Sequence, residues 1–160
     1  TYIISLAGYL HDIGKLHIDK SILNKPSKLS LNEYDTIKLH PAIAIKIIRT
    51  QYEYSILEES GLHIFEHILD AISCHHEKYS GNMGYPIGLY GENIPFIARI
   101  ITVADAFDAM VSRNYGKVKN KNEAISELIK CKRIHFDPEI ADAMIRLIKE
   151  TNFFDYRQLA

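Results

Sequence analysis

The sequence predicts an all-α protein, and three observations carry that expectation. Apolar residues recur at helical spacing almost throughout. No stretch shows strand alternation of useful length. Helix-start signals stand where new apolar stripes begin: Ser30 with Glu33, Asn120 with Glu123, and Asp137 followed by Pro138.

Taken in order, Ile3, Ile4, Ala7 and Leu10 make a first helical stripe that ends at His11 and Asp12, with Gly14 as its terminator. Residues 16–29 contain Asn24, Pro26 and Ser27 and read as a loop. Ser30 and Glu33 form a capping box, so a helix begins near Leu31. Pro41 opens another, continued by Ile43, Ile47 and Ile48. Ile64, Phe65, Ile68, Leu69 and Ile72 then mark a helix running into His75 and His76. Residues 79–93 hold Gly81, Gly84, Pro86, Gly88 and Gly91, too many breakers for regular structure, and make one long loop. Pro95 opens a helix carrying Ile97, Ile101, Ala104 and Phe107. Further helices start at Asn120 and at Asp137-Pro138, the last bearing Ile140, Met144, Ile145 and Ile148.

At 160 residues the chain fits one domain. Apolar residues at 47% and charged residues at 24% suit a globular protein with a buried core. A formal charge of −1 leaves no global basic field, which excludes long nucleic acid as a partner and leaves a small anionic ligand open. Cys74 and Cys131 lack CxxC spacing and read as reduced thiols in a cytoplasmic setting. No apolar run approaches the ~20 residues of a membrane helix, and no signal-peptide pattern opens the chain. Thr1 stands at the edge of an apolar stretch, so the sequence reads as a piece of a longer protein. Residues 1–150 are expected to form the domain and 151–160 a C-terminal tail.

Six residues can carry chemistry: His11, Asp12, His40, His75, His76 and Asp105. All are imidazoles or carboxylates, and most lie near the ends of apolar helices, which can meet around one cavity. Mixed nitrogen and oxygen donors without thiolate suit Fe, Mn, Zn or Ni. Asp105 sits among Val103, Ala104, Ala106 and Phe107, where an unpaired carboxylate is costly and calls for a cation or strong hydrogen bonds. His17, His63 and His67 have no such context and read as structural or exposed.

Ordered motif blocks add a resemblance. HDIGK at 11–15 resembles the signature of the HD phosphohydrolase superfamily, and HHEKYSGNMGYP at 75–86 resembles the segment that defines its HD-GYP family. LHPAI (39–43), ARIITVADAFDAMVS (98–112) and HFDPEI (135–140) resemble that family's remaining blocks, in the same order. The resemblance implies an HD-domain helical bundle with a long GYP loop, in which His11, Asp12, His40, His75, His76 and Asp105 bind metal. It makes Asp12 both the bridge between two ions and a catalytic residue. It also implies two or three divalent ions, iron or manganese, which clamp the phosphate and lower the pKa of the attacking water. Lys15 then has a catalytic and substrate-binding role, stabilising charge as it develops on the scissile phosphate. Gly84, Tyr85 and Pro86 line the substrate, with the Tyr85 ring offered for base stacking. Arg113 and Lys117 are candidates for gripping the second phosphate.

Three departures from the family pattern stand out. No further ligand precedes HDIGK, Gly116 replaces a basic residue in the SRNYGK run, and Met83 stands where a small polar residue is usual. The function implied is metal-dependent hydrolysis of cyclic di-GMP to the linear dinucleotide and onward to GMP. Two alternatives stay open: a catalytically weak nucleotide-binding or cyclase-docking signalling domain, and a general HD nucleotide phosphohydrolase. The implied partners are the cyclic dinucleotide, a GGDEF-type cyclase at the GYP loop, an upstream sensory or receiver domain and a second copy in a homodimer. The cytoplasmic placement extends to the cytoplasmic part of a membrane-anchored sensor.

Overall fold

The computed structural model describes residues 2–51, 59–112 and 118–151. Among these the architecture is helical, with one isolated bridge between Lys132 and Phe136 and no strand. Helix α1 (Tyr2–Leu10) is followed by a 3-10 turn at Ile13–His17, the four-residue α2 (Lys20–Leu23) and α3 (Leu31–Ile37). Then come α4 (His40–Gln51), α5 (Glu59–Cys74), a long loop containing a 3-10 turn at Gly91–Asn93, α6 (Phe96–Val111), α7 (Lys121–Cys131) and α8 (Pro138–Glu150).

The start signals act through hydrogen bonds. Both capping boxes form, Ser30 with Glu33 and Asn120 with Glu123. Asp137 caps α8 by accepting from the backbone N–H groups of Glu139 and Ile140, with Pro138 at the first helical position. The second Asp137 oxygen takes Arg99 of α6 at 2.5 Å, with both side chains largely buried. One carboxylate thus starts α8 and fastens it to α6. Because both charges are withdrawn from water, removing either would strand the other.

The core has two main parts joined by α6. Ala7, Ala44, Ile48, Phe65, Leu69 and Ile72 pack α1, α4 and α5 together, and Ile101 of α6 completes that cluster. Val103 and Phe107, on the other side of α6, pack with Ala124, Leu128, Ala141 and Ile148 of α7 and α8. Leu128 and Ile148 are almost wholly buried, so truncating either to Ala should cost roughly 2–5 kcal/mol.

The expected loop over 16–29 is interrupted by α2, which Asp19 caps by accepting from Ser21 N–H. Four residues are too few to show a helical period. Gly14 is also not the plain terminator expected. It lies buried in the 3-10 turn, and a Cβ there would meet the His40 carbonyl oxygen at 1.9 Å and the Ala44 nitrogen at 2.8 Å. Only glycine lets this turn press against the first turn of α4, and that contact brings Asp12 beside His40. Cys74 and Cys131 are free thiols, and they belong to separate core clusters.

Candidate metal centre

Four helices deliver the six candidate side chains to one place. His11 and Asp12 follow the last residue of α1, and His40 begins α4. His75 and His76 follow the end of α5, and Asp105 stands in the middle of α6. Three of the histidines are oriented alike. The Nδ1–H of His11 donates to the Gly8 carbonyl at 2.7 Å, that of His40 to Ile37 at 2.8 Å, and that of His75 to Ile72 at 2.7 Å. A carbonyl can only accept, so it fixes the proton on Nδ1 and turns Nε2 toward the shared cavity.

The donor atoms fall into two groups, each within 4.8 Å: Asp12, His40, His75 and His76, and His11, Asp12 and Asp105. Asp12 belongs to both. Its Oδ1 lies 3.3 Å from His40 Nε2, and its Oδ2 lies 3.4 Å from His11 Nε2. The two carboxylate oxygens therefore face different histidines. Asp105 Oδ1 closes the second group at 3.7 Å from His11 Nε2.

These side chains fit a divalent cation on local grounds. His40 Nε2 and His75 Nε2 face each other at 3.3 Å. Burial lowers the pKa of both rings, His75 to about 4, so each is neutral and carries its proton on Nδ1. Two lone pairs then converge with no proton between them. Two nitrogens each bound to one ion at ~2.1 Å would stand about 3.0–3.4 Å apart for angles between square and tetrahedral. His11 Nε2, His76 Nε2 and Asp12 Oδ1 are buried without a hydrogen-bond partner, and one ion in each donor group would satisfy all three. Mixed imidazole and carboxylate donors suit a borderline or harder transition ion.

Charge differs between the two groups. Burial holds His76 down to about 2. Burial also works against charge on His11, but Asp105 and Asp12 outweigh it and raise its pKa to about 10. Asp12 is held well below the usual carboxylate range: burial opposes this, but His11 and the Lys15 ammonium at 2.6 Å prevail. The metal-free protein thus carries a proton on His11 at neutral pH, while His40, His75 and His76 are already deprotonated. Metal binding should release about one proton per chain at pH 7–8, with the release fading as pH rises through 10. Calorimetric titration in buffers of different ionisation enthalpy checks this; release of several protons would mean that the other imidazoles start charged.

The loop after His76 is held from beneath. Glu77 is 1% exposed and accepts from the N–H groups of Ile87 and Gly88 at 2.7 and 2.9 Å. Gly84 lies against it, since a Cβ there would meet Lys78 N at 2.7 Å and Glu77 Oε2 at 2.8 Å. Tyr85 stacks on the His76 ring, with centroids 4.7 Å apart and planes at 21°. One face of Tyr85 is therefore spent on a candidate ligand, which limits its expected use in base stacking. The Tyr85–Pro86 peptide is cis, and Pro86 is exposed. Glu77→Gln should destabilise the protein by about 1–3 kcal/mol by weakening charged hydrogen bonds to two loop amides. Denaturant unfolding with the mutant matching wild type would contradict that.

Asp105 is only half-buried, with its side chain 36% exposed, and its carboxylate faces the cationic partner that its apolar setting calls for, His11. His17, His63 and His67 lie exposed, and none belongs to either donor group. Lys15 sits at the centre, bound to Asp12. Arg113 and Lys117 fall outside the described residues. Sequence reasoning gave no role to Glu77 or to Thr102, whose hydroxyl reaches the His75 carbonyl at 2.7 Å and ties α6 to the end of α5. Residue type could flag Glu77 as a carboxylate beside two histidines, but nothing in the spacing reveals that its partners are backbone amides.

A family model described as HD domain matches residues 3–140. The chain is 39% identical over 145 residues to the cyclic di-GMP phosphodiesterase response regulator RpfG of Xanthomonas campestris, covering 90% of this chain and 36% of that protein. It is 37% identical over 148 residues to a cyclic di-GMP phosphodiesterase of Thermotoga maritima, covering 92% of this chain and 38% of the relative. A 3'3'-cGAMP-specific phosphodiesterase 2 of Vibrio cholerae is 34% identical over 143 residues, covering 89% and 26%. The chain spans about a third of the length of the curated relatives it matches. Its helical frame, its HD pair at the end of α1 and its match over most of its length agree, and the chain belongs to the HD domain family, in its HD-GYP type.

Proposed function

We propose that this domain hydrolyses a 3',5'-linked cyclic dinucleotide, cyclic di-GMP first, to the linear dinucleotide and then to GMP. The observation that carries the reading is the pair of donor groups that meet at Asp12. In this reading His11, Asp12 and Asp105 hold one ion and Asp12, His40, His75 and His76 hold another, with iron or manganese as the resident metal. Bound ions of this kind supply positive charge against phosphoryl oxygens and lower the pKa of water toward neutrality.

The chain's own residues supply the remainder. The backbone carbonyls of Gly8, Ile37 and Ile72 hold three imidazoles in the tautomer that leaves Nε2 free. Lys15 sits 2.6 Å from the shared carboxylate, close enough to offset charge that builds on the phosphate as the P–O bond breaks. The loop anchored by Glu77 holds Gly84, Tyr85 and Pro86 at the rim, where the substrate's bases would rest. Arg113 and Lys117 are assigned the second phosphate on sequence grounds.

The relatives' names favour this substrate class and span two members of it, cyclic di-GMP and 3'3'-cGAMP. Residues 1–150 act as the catalytic unit of a longer cytoplasmic protein. An upstream receiver domain is suggested by the relative named as a response regulator; a GGDEF-type cyclase and a second copy of the chain remain proposed partners from the resemblance. No helix among the described residues is long and apolar enough to cross a membrane. Chromatography after incubating the manganese- or iron-loaded protein with each dinucleotide tests the reading. Linear dinucleotide from cyclic di-GMP supports it; unchanged substrate from both, with metal present, overturns it.

A further inference from the structure

Helix α5 carries a second pair of histidines, far along the helix from His75 and His76. His63 and His67 are four residues apart, so their side chains stand one above the other on the same face. Both are exposed. Their Nε2 atoms lie 3.2 Å apart, with ring centroids 4.4 Å apart and planes at 57°. Asp70, three residues beyond His67, falls on the same helical face and is exposed as well.

Two readings of that convergence compete. In one, a neutral imidazole donates an N–H to the other ring. Water competes for both nitrogens at an exposed site, so the net gain is small. In the other, both lone pairs point at one ion. Nitrogens bound at ~2.0–2.1 Å to a single ion would stand about 2.8–3.4 Å apart for angles between square and tetrahedral, which includes the observed separation. The helix already holds the two rings at that spacing, so little ordering is needed to chelate.

We propose that His63 and His67 form a second metal site, for a borderline divalent transition ion such as Zn2+, Ni2+ or Cu2+. Water completes its coordination. A pair of imidazoles with no carboxylate between them favours these ions over Mn2+ and the alkaline-earth ions, which prefer oxygen. The site therefore selects differently from the centre in which Asp12 and Asp105 join the imidazoles. Eight residues separate His67 from His75, about 12 Å along the helix axis. An ion at this site clamps adjacent turns of the helix that leads into His75 and His76, and it stabilises the folded chain by mass action. This inference does not depend on the cyclic dinucleotide reading.

Equilibrium dialysis of the full chain against Zn2+, and separately against Mn2+, tests it by elemental analysis. Wild type should hold one more zinc equivalent than either His63→Gln or His67→Gln, with the same manganese content in all three. Equal zinc content, with the helical circular dichroism unchanged, would overturn the proposal. If a variant fails to fold, imidazole resonances of the wild-type protein decide the matter during a zinc titration. Both His63 and His67 should shift together with one added equivalent beyond those taken by the centre; unshifted signals would overturn it.

Discussion

Asp12→Ala is expected to empty both metal positions at once while leaving the helices in place. The two Asp12 oxygens face different histidines, His40 and His11, so this one side chain belongs to both donor groups. Loss of an outer partner of a metal ligand typically costs 10–100-fold in affinity. Loss of a shared ligand should exceed about 100-fold at each position, and turnover should fall to background. His11→Ala and His75→Ala each touch one group and should leave the other ion bound. Elemental analysis of the three variants checks this. Near-full occupancy in Asp12→Ala would remove the shared role, and equal losses in all three would mean that the ions bind as one unit.

Gly14→Ala should damage the same centre without touching a donor atom. A methyl at residue 14 would stand 1.9 Å from the His40 carbonyl oxygen, so the 3-10 turn and α4 must separate. Overpacking of this kind costs about 3 kcal/mol at the upper end of its usual range. The shift also moves Asp12 away from His40, so metal affinity should fall together with stability. Gly8→Ala is the control, because nothing lies within 4 Å of a Cβ there. Alanine at that helical position should be neutral or stabilising by up to about 1 kcal/mol. Thermal unfolding of both variants, with and without metal, separates the two outcomes. If Gly14→Ala matches wild type, the close approach does not position the site.

The helices and the candidate side chains that the fold brings together were legible in the sequence because both rest on local signals. A capping box needs only Ser30 and Glu33, or Asn120 and Glu123, at fixed spacing, and helical stripes repeat within a few residues. His11-Asp12 and His75-His76 announce themselves by residue type at the ends of apolar stripes. What the sequence hid depends on distance in space. Gly14 meets a helix that begins 26 positions later in the chain (14 to 40), and no local pattern records that closeness. Glu77 binds amides ten and eleven residues ahead, inside a loop whose path only the fold determines. Tyr85 read as a free ring for base stacking, yet the fold lays it on His76. Asp105 stands among apolar residues in sequence, but on α6 Val103 and Phe107 turn into the cluster with α7 and α8 and leave its side chain half-buried.

Anomalous X-ray scattering from crystals of the manganese- or iron-loaded protein tests the central claim most directly. Two peaks are expected, one on either side of the Asp12 carboxylate: the first beside His11 and Asp105, the second beside His40, His75 and His76. A single peak away from Asp12, or none in protein that elemental analysis finds loaded, would contradict the account.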